Sequence, residues 1–373
     1  MTRRRRRERG PPRQLSRDGI GTSERRGSFR HDGIGSANDE VRAGNQPSGG
    51  NIVKALRKIG IAAVAGGIAV FAVASAALAQ PAANKNIVLM VGVKGDPFYV
   101  SMQCGAQAAA KAAGYTLQVQ GPDKFDATLQ NPLLDAVAAA KPAALLVAPN
   151  DVKASAPPLK RIQKGGTKVV LVDTIVTDKS VGVSRIATDN ELGGEKAAQA
   201  LAQLGVKGKV LVISTDPGVS SVDARIAGFN KKAAKLGMKL VSKAQYSHNE
   251  PATAAQIVSA ALAKDPDLKG VFATNLFSAQ GVATGIRQAG KSGKVKVVGF
   301  DAGPDQIKQL KAGQVQALVA QKPYDIGQQG VKEAVASLTG GKVTANIGTT
   351  SLVITKANLN QPAVKKYIYK ASC

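Results

Sequence analysis

Polar and aromatic side chains follow the apolar runs of this sequence, at the points where buried strands would end. They are Asp96, Phe98, Tyr99, Asp173, Asn275, Asp301 and Gln321. Carboxylate and amide groups form hydrogen bonds with hydroxyl groups, and an aromatic face covers the apolar side of a small ring. This set of residue types therefore suits a neutral ligand that carries many hydroxyl groups.

The elements that must position these side chains are short strands alternating with alanine-rich helices. The predicted strands are Ile87–Val93, Thr116–Gln120, Ala144–Ala148, Lys168–Val172, Lys209–Ser214, Leu240–Tyr246, Gly270–Ala273, Val295–Phe300 and Val315–Ala320. Because they are almost continuously apolar, they are typical of parallel strands buried on both faces. Their strict alternation with helices predicts a doubly wound α/β fold.

The chain from Gln80 to Cys373 is long enough for two domains. One large sheet is an alternative, but two smaller Rossmann-like lobes fit this length better. Ligands in such folds bind beyond the carboxyl ends of the strands. The polar residues that follow the strands are therefore expected to line a ligand-binding cleft.

Residues 54–79 begin with basic residues, continue as an apolar run and end in small residues. Lys54, Arg57 and Lys58 precede a long apolar run, and the small residues that end it match a cleavage rule. We therefore predict a signal peptide that is cleaved after Ala79 and directs the chain to the periplasm. A transmembrane anchor is the alternative, because the apolar run is long enough to span a bilayer.

Residues 1–53 differ from the rest of the chain in composition. Arg3–Arg7 are consecutive, and glycine, serine, asparagine and proline fill much of the remainder. Without apolar periodicity this segment is predicted to be disordered, or to be an extension upstream of a true start near Val53. A basic arm for nucleic acid is the alternative, but an export signal directly behind it conflicts with that function.

The chain has 51 Lys and Arg residues against 25 Asp and Glu, a net charge of +26. Beyond residue 80 the lysines are scattered at helical spacing with few aromatic residues among them, so we expect a solvated surface and no nucleic-acid partner. Only His31 and His248 are histidines, and no nucleophile elbow or P-loop occurs. We therefore expect no enzyme activity, no cofactor and no metal.

Cys104 and Cys373 are the two cysteines of the chain. In an exported protein an even pair suggests a disulfide, here between the first predicted helix and the last residue. Two unpaired thiols are the alternative. A bridge would hold a C-terminal tail that otherwise frays.

Five stretches of the chain form a specific pattern. They are Asp96–Ser101 with Gly105-Ala106, Ile186–Asn190 with Gly193-Gly194, Ala224-Arg225 with Gly228-Phe229, Val297–Asp301 with Pro304-Asp305, and Ala320-Gln321 with Pro323 and Ile326-Gly327. Together they resemble the ribose-binding family of periplasmic sugar-binding proteins, which serve ABC-type importers. The resemblance implies the type I fold of these proteins, with two parallel-sheet lobes and a three-strand hinge.

The resemblance also implies the division of the chain and its partners. We predict an N-terminal lobe of 84–187 plus 322–350 and a C-terminal lobe of 188–321 plus 351–373. A monomer would capture a sugar or polyol and deliver it to a membrane permease. Ligand delivery to a chemotaxis or sensor protein is an alternative. A lactose-repressor-type regulator shares the fold but needs a helix-turn-helix, whose periodicity residues 1–50 lack.

The resemblance assigns ligand contacts to five charged or aromatic residues. Phe98 and Tyr99 would stack on the sugar ring, Asp173 and Asp301 would accept hydrogen bonds from adjacent hydroxyls, and Arg225 would donate. Each has a structural alternative. Either carboxylate could cap the next helix, and the aromatic pair could belong to the core.

Two amides complete the implied contacts, and three positions depart from the family pattern. Asn275 and Gln321 would each offer one donor and one acceptor. Asp96 stands where the family has asparagine, Thr174 where it has arginine, and Ala148 where it has asparagine. These departures argue against D-ribose as the ligand, and another pentose, a hexose and a linear polyol are the alternatives.

Three further interpretations depend on residues near the site. Arg225 has the alternative of pairing with Asp216 or Asp223 on the surface. We interpret Asn190 as a helix cap rather than a ligand contact. A further contact is expected within residues 246–249, where the sequence does not fix the register.

Overall fold

A computed structural model describes residues 84–373, and the predicted signal peptide and N-terminal extension lie outside the described residues. The strands are β1 (Asn86–Met90), β2 (Thr116–Gln120), β3 (Ala144–Val147), β4 (Lys168–Val172), β5 (Ser184–Thr188), β6 (Gly208–Ser214), β7 (Met238–Leu240), β8 (Gln245–Tyr246), β9 (Gly270–Ala273), β10 (Lys296–Phe300), β11 (Ala317–Ala320), β12 (Asn346–Thr349) and β13 (Leu352–Ile354). The helices are α1 (Pro97–Ala112), α2 (Ala127–Ala140), α3 (Ala156–Lys164), α4 (Asn190–Gln203), α5 (Ser220–Lys235), α6 (Pro251–Lys264), α7 (Leu276–Gln288), α8 (Pro304–Lys311), α9 (Pro323–Leu338) and α10 (Pro362–Lys365). Within these residues, no helix is both long enough and apolar enough to cross a bilayer.

The strands form two separate sheets, so the predicted two-lobed α/β fold is confirmed and the single-sheet alternative is wrong. The first sheet has the order β12-β5-β4-β3-β1-β2, and every neighbouring pair is parallel. The second has the order β13-β11-β10-β9-β6-β7, with β8 beside β6. Its pairs are parallel except β11 with β13. We call each sheet with its packed helices the first and the second lobe.

The chain passes between the two sheets three times. Strand β5 belongs to the first sheet, and the next helix, α4, packs on the second. Strand β11 belongs to the second sheet, and α9 after it packs on the first. Strands β12 and β13 are then consecutive but lie in different sheets. The domain bounds given above stay a prediction.

Most predicted strands are present within a few residues of their predicted ends, but one was wrong. The stretch Leu240–Tyr246 is two short strands, β7 and β8, rather than one. Between them the Ser242 hydroxyl donates to the carbonyl oxygen of Lys243, and the Gln245 side chain donates to both residues. Such local side-chain bonds compete with the strand ladder and interrupt it. Strands β5 and β12 were missing from the prediction because they are not continuously apolar, and β13 was missing because it has only three residues.

Helices α4 and α5 pack so closely that a side chain at either contact glycine would collide with the backbone of the other helix. A Cβ on Gly194 would lie 2.0 Å from the carbonyl oxygen of Arg225, and one on Gly228 would lie 2.0 Å from a carbonyl oxygen of α4. Helices α1 and α9 meet in the same way through Gly105 and Gly327. Glycine is therefore the residue that fits these four positions. The contacts fix α1 and α5, which carry predicted site residues.

Replacing Gly228 by alanine should lower the free energy of unfolding by about 1–3 kcal/mol, the usual cost of overpacking. The added methyl group would force α4 and α5 apart. Gly348→Ala is the matched control, because a Cβ at this exposed strand position meets no atom within 4 Å. Urea unfolding measures both variants, and equal stability of the two would contradict this account of the packing.

The C-terminal tail is bonded to the first lobe. Cys373 forms a disulfide with Cys104 of α1, and their Cα atoms lie 5.3 Å apart. Cys104 is buried and Cys373 is exposed. The bridge joins positions 269 residues apart in sequence, so it closes nearly the whole described part of the chain into one covalent loop.

Candidate functional site

One cavity between the two lobes is lined by all eight residues that the sequence selects. The volume of this cavity, counted together with its opening to solvent, is about 410 Å³. The first lobe contributes the residues that begin α1 and end β4, and the second contributes those of α5 and the ends of β9, β10 and β11. Five further lining residues were not among the predicted contacts: Phe125, Thr215, Val219, Ser221 and Val222. Asn249 also lines the cavity, within the segment 246–249 where a further contact was expected.

The lobes touch each other at the rim of this cavity. The N–H of Val152 donates to the carbonyl oxygen of Gly218 at 3.0 Å. The N–H of Ile175 donates to the hydroxyl of Ser220 at 2.9 Å. Each bond joins a loop of the first lobe to the start of α5 in the second. The structure therefore has the closed arrangement of the two lobes.

Asp173 and Asp301 occupy equivalent places in the two lobes. Each follows the last residue of a central strand, and each has a positive φ, +64° and +77°. This left-handed conformation is uncommon outside glycine and asparagine or aspartate, and it turns the side chain away from the strand direction. Neither residue is a helix cap: β5 follows Asp173, and Gly303 is the N-cap of α8. The capping alternative is therefore wrong for both.

A tyrosine hydroxyl holds each of these carboxylates. The Tyr99 hydroxyl donates to Asp173 Oδ2 at 3.0 Å, and the Tyr369 hydroxyl donates to Asp301 Oδ1 at 2.9 Å. Burial, with the neighbouring carboxylate, raises the pKa of both tyrosines well above 10.0. Both phenols therefore keep their protons and act as donors. Tyr369 was not among the predicted site residues.

Arg225 is buried and rigidly held. Its Nε donates to Asn190 Oδ1 and its Nη1 donates to the carbonyl oxygen of Thr274, both at 2.9 Å. Its guanidinium lies over the Phe300 ring, with Cζ 3.7 Å from the ring centroid. Among the described residues, no protein group accepts from Nη2, which leaves those N–H groups for a ligand.

Two interpretations around Arg225 were wrong. Asp216 bonds the His248 ring and Asp223 accepts from the Gly218 N–H, so neither pairs with the arginine. Asn190 is not the helix cap, because Asp189 takes that place on α4 through the N–H of residue 192. The amide of Asn190 instead orients the guanidinium.

The aromatic pair of α1 belongs both to the cavity wall and to the core. Phe98 and Tyr99 are each 4% exposed, and their rings meet edge to face at 5.2 Å. The two interpretations from the sequence are therefore compatible. Phe125 lies in the loop before α2, away from any strand end, so the rule that selected the other residues did not find it.

The amide side chains at the cavity are bonded to other protein groups. Gln321 donates from Nε2 to Asp301 Oδ1 at 2.7 Å and accepts from the Thr188 hydroxyl at 2.7 Å. Asn275 caps α7 and donates to Asn249 Oδ1 at 2.6 Å. Asn249 is thus the lining residue of the segment 246–249. Gln321 uses both of its polar ends on protein groups and orients Asp301.

Asp96 has a different electrostatic setting from the other carboxylates. It caps α1 by accepting from the Phe98 N–H at 2.8 Å. Burial is the largest cause that raises its pKa from 3.8 to about 8, and the Asp301 and Asp173 carboxylates add to the rise. Burial raises the pKa of Asp173 to about 6, against the opposing effects of Arg225 and Tyr99. At neutral pH Asp96 is therefore mostly protonated and can donate a hydrogen bond, as the amide of asparagine would.

The other two departures from the family pattern leave no polar group in the cavity. Thr174 is buried, and its hydroxyl donates to the carbonyl oxygen of Pro149 at 2.7 Å. The Ala148 carbonyl oxygen accepts from Gln130 Nε2 at 2.8 Å. Within residues 84–373, no group of three or more His, Cys, Asp or Glu side chains is arranged to hold a metal ion.

Comparison with known proteins decides the family. Residues 87–342 match the family model of the periplasmic binding protein domain. The chain belongs to the periplasmic binding protein family. The ribose import binding protein of Escherichia coli (strain K12) is 32% identical over 283 residues, which cover 74% of this chain and 93% of that relative. The resemblance drawn from the sequence motifs is confirmed.

Solved structures of periplasmic binding proteins include two similar proteins from Agrobacterium vitis. One ABC transporter solute-binding protein, bound with α-D-tagatopyranose, is 42% identical with a TM-score of 0.75 and covers 76% of this chain and 99% of its own. Another, with bound D-fucose, is 32% identical with a TM-score of 0.73 and covers 76% and 100%. These relatives match the chain over almost their whole length, and both are sugar-binding components of ABC transporters.

The free energy of unfolding should decrease as the pH rises from 3.8 to about 8, because the folded protein keeps a proton on Asp96 that the unfolded chain releases. Asp96→Asn should flatten this decrease, since asparagine also caps helices and does not titrate. The contribution of Asp173 remains in the variant. Thermal unfolding at about pH 5 and about pH 8 measures the change.

Asp126→Asn is the matched control for this experiment. Asp126 caps α2 in the same way, through the Thr128 N–H, but it is exposed. This variant should keep the pH dependence of the wild-type protein. A profile of Asp96→Asn that is as steep as that of the wild type would contradict the assignment of the proton to Asp96.

Proposed function

We propose that this chain is a periplasmic solute-binding protein that captures a monosaccharide between its lobes and delivers it to the permease of an ABC importer. One observation carries the proposal: eight residues from both lobes, selected by the sequence, line one cavity. They combine carboxylates, a guanidinium, amides and aromatic rings, which suit a ring with many hydroxyl groups. The sugars bound by the relatives support the same ligand class.

The proposed ligand is a neutral hexose or pentose in its ring form, with D-tagatose as the first candidate. The protein with α-D-tagatopyranose is 42% identical to this chain, whereas the ribose import binding protein is 32% identical. Where the ribose-type pattern has arginine, this chain has Thr174, whose hydroxyl is already hydrogen-bonded to Pro149. Where that pattern has asparagine, this chain has Ala148, which has only a methyl group. We propose that these changes move the specificity away from D-ribose.

The proposed mechanism is closure around the sugar. A ligand that bonds Asp173 in the first lobe and Asp301 or Arg225 in the second binds the closed form more tightly than the open form. It therefore shifts the population towards the closed form. The three chain crossings at the base of the cleft act as the hinge, and the rim contacts of Val152 and Ile175 form on closure. The closed form would then dock on the permease.

Asp301→Asn should weaken sugar binding by about 10-fold to 150-fold, which is the range for losing a hydrogen bond to a charged group. The variant keeps the size of the side chain, so the effect comes from the lost charge. Isothermal titration calorimetry with D-tagatose, D-fucose, D-arabinose and D-ribose measures the affinities. Asp305→Asn, an exposed carboxylate on α8, is the matched control.

Equal affinities of Asp301→Asn and Asp305→Asn for the best sugar would contradict the proposed site. Failure of the wild-type protein to bind any of the four sugars would contradict the proposed ligand class. Preference for D-ribose over D-tagatose would contradict only the proposed specificity.

We also propose that the chain reaches the periplasm after removal of a signal peptide at 54–79 and acts there as a monomer with no nucleic-acid partner. The family supports export, and the cleavage after Ala79 rests on the sequence pattern. Intact mass spectrometry of the exported protein should give a chain that begins at Gln80. A mass that includes the apolar segment would favour the membrane anchor instead.

A further inference from the structure

The C-terminal tail connects the two lobes in addition to the three chain crossings. The N–H of Tyr369 donates to the carbonyl oxygen of Ala302, beside the end of β10 in the second lobe, at 3.0 Å. The N–H of Lys370 donates to the hydroxyl of Ser101 on α1, in the first lobe, at 2.7 Å. The tail thus passes from one lobe to the other between consecutive residues. The disulfide of Cys373 then fixes its end to α1.

Tyr369 lies directly behind a proposed ligand-binding carboxylate. Its hydroxyl donates to Asp301 Oδ1 at 2.9 Å and accepts from the N–H of Gln321 at 3.1 Å. Gln321 Nε2 also donates to Asp301 Oδ1, at 2.7 Å. Among the described residues, no protein group donates to Asp301 Oδ2. The tyrosine therefore sets the orientation in which the second carboxylate oxygen is available to a ligand.

The ring of Tyr369 also touches the aromatic pair of the first lobe. It meets the Phe98 ring edge to face, with 5.7 Å between the ring centroids. Tyr369 is 4% exposed, so its hydroxyl has exchanged water for the two protein partners described above. The same side chain therefore contacts site residues of both lobes. Its position depends on a tail whose last four residues are exposed and whose end is held by the bridge.

We propose that the disulfide-anchored tail is a positioning element of the sugar site. The bridge between Cys373 and Cys104 holds Tyr369 behind Asp301, and Tyr369 in turn holds the carboxylate for the ligand. Loss of the bridge lets the tail detach from α1, so that the tyrosine leaves its place more often and the carboxylate loses its fixed orientation. The proposal rests on the proposed function for its effect on sugar affinity.

The effect on sugar binding is tested with D-tagatose as the probe. Tyr369→Phe and the double variant C104S/C373S should each weaken binding by about tenfold, which is typical of a lost hydrogen bond to a charged group. The Tyr369→Phe change should have a smaller effect when it is made in C104S/C373S, because the tail is then already loosened. Calorimetry well below the unfolding temperature keeps every variant folded.

Tyr367→Phe is the matched control. Tyr367 is a buried tyrosine of the same tail, and its hydroxyl has no hydrogen-bond partner among the described residues. This variant should bind D-tagatose with wild-type affinity. An equal loss of affinity in Tyr367→Phe and Tyr369→Phe would overturn the role of the Tyr369 hydroxyl. Wild-type affinity in C104S/C373S would overturn the role of the bridge.

A second measurement tests the tail without any sugar. The N–H of Gln321 donates to the Tyr369 hydroxyl, so its hydrogen exchange reports whether the tyrosine is in place. NMR measures the rate of hydrogen exchange at this amide. The rate should be about tenfold higher in C104S/C373S than in the wild type, whereas Tyr367→Phe should exchange at the wild-type rate. Unchanged exchange in C104S/C373S would overturn the proposal. If D-tagatose does not bind the wild-type protein, the ligand assignment fails while this exchange measurement still decides the proposal on the tail.

Discussion

The burial of three carboxyl groups around one guanidinium is the constraint on which the rest of this structure depends. Asp96, Asp173 and Asp301 are 7%, 6% and 4% exposed, and Arg225 is 3% exposed. Taking charges out of water is costly unless each is paired or hydrogen-bonded. Each group therefore needs partners from the protein: a helix N-terminus for Asp96, a tyrosine for each of the other two carboxylates, and Asn190 for the arginine. The excess of negative charge is relieved by a proton on Asp96.

The fold meets this constraint by close packing of two helix backbones and by returning the C-terminal segment to the cleft. Gly194 and Gly228 allow α4 and α5 to touch, which brings the amide of Asn190 to the guanidinium of Arg225. The segment after β13 returns Tyr369 to the base of the cleft. Hydrogen bonds that orient the site therefore come from elements far apart in sequence. For the lobes to open, each of these bonds must either lie within one lobe or break.

The sequence was sufficient for the fold and for the residues at strand ends. Continuous apolar strands that alternate with helices require parallel sheets, and the carboxyl ends of parallel strands gather polar side chains at one edge. Asp173 and Asp301 could be found by this rule. Phe125 could not, because it lies in the loop before α2, away from any strand end. For Asn249 the sequence indicated only the segment 246–249 and not the residue within it. The orienting role of Asn190 could not be predicted, because its position at the start of a helix also suits a cap. The contact of Tyr369 with Asp301 could not be predicted either, because the two residues are 68 positions apart in the sequence.

The central claim is that the two lobes close on one sugar through Asp173, Asp301 and Arg225. A crystal structure of the protein with D-tagatose tests it most directly. We expect the sugar in the interlobe cavity, with hydroxyl oxygens about 2.5–3.2 Å from both carboxylates and from the guanidinium. A sugar bound outside this cavity, or one that contacts a single lobe, would contradict the account.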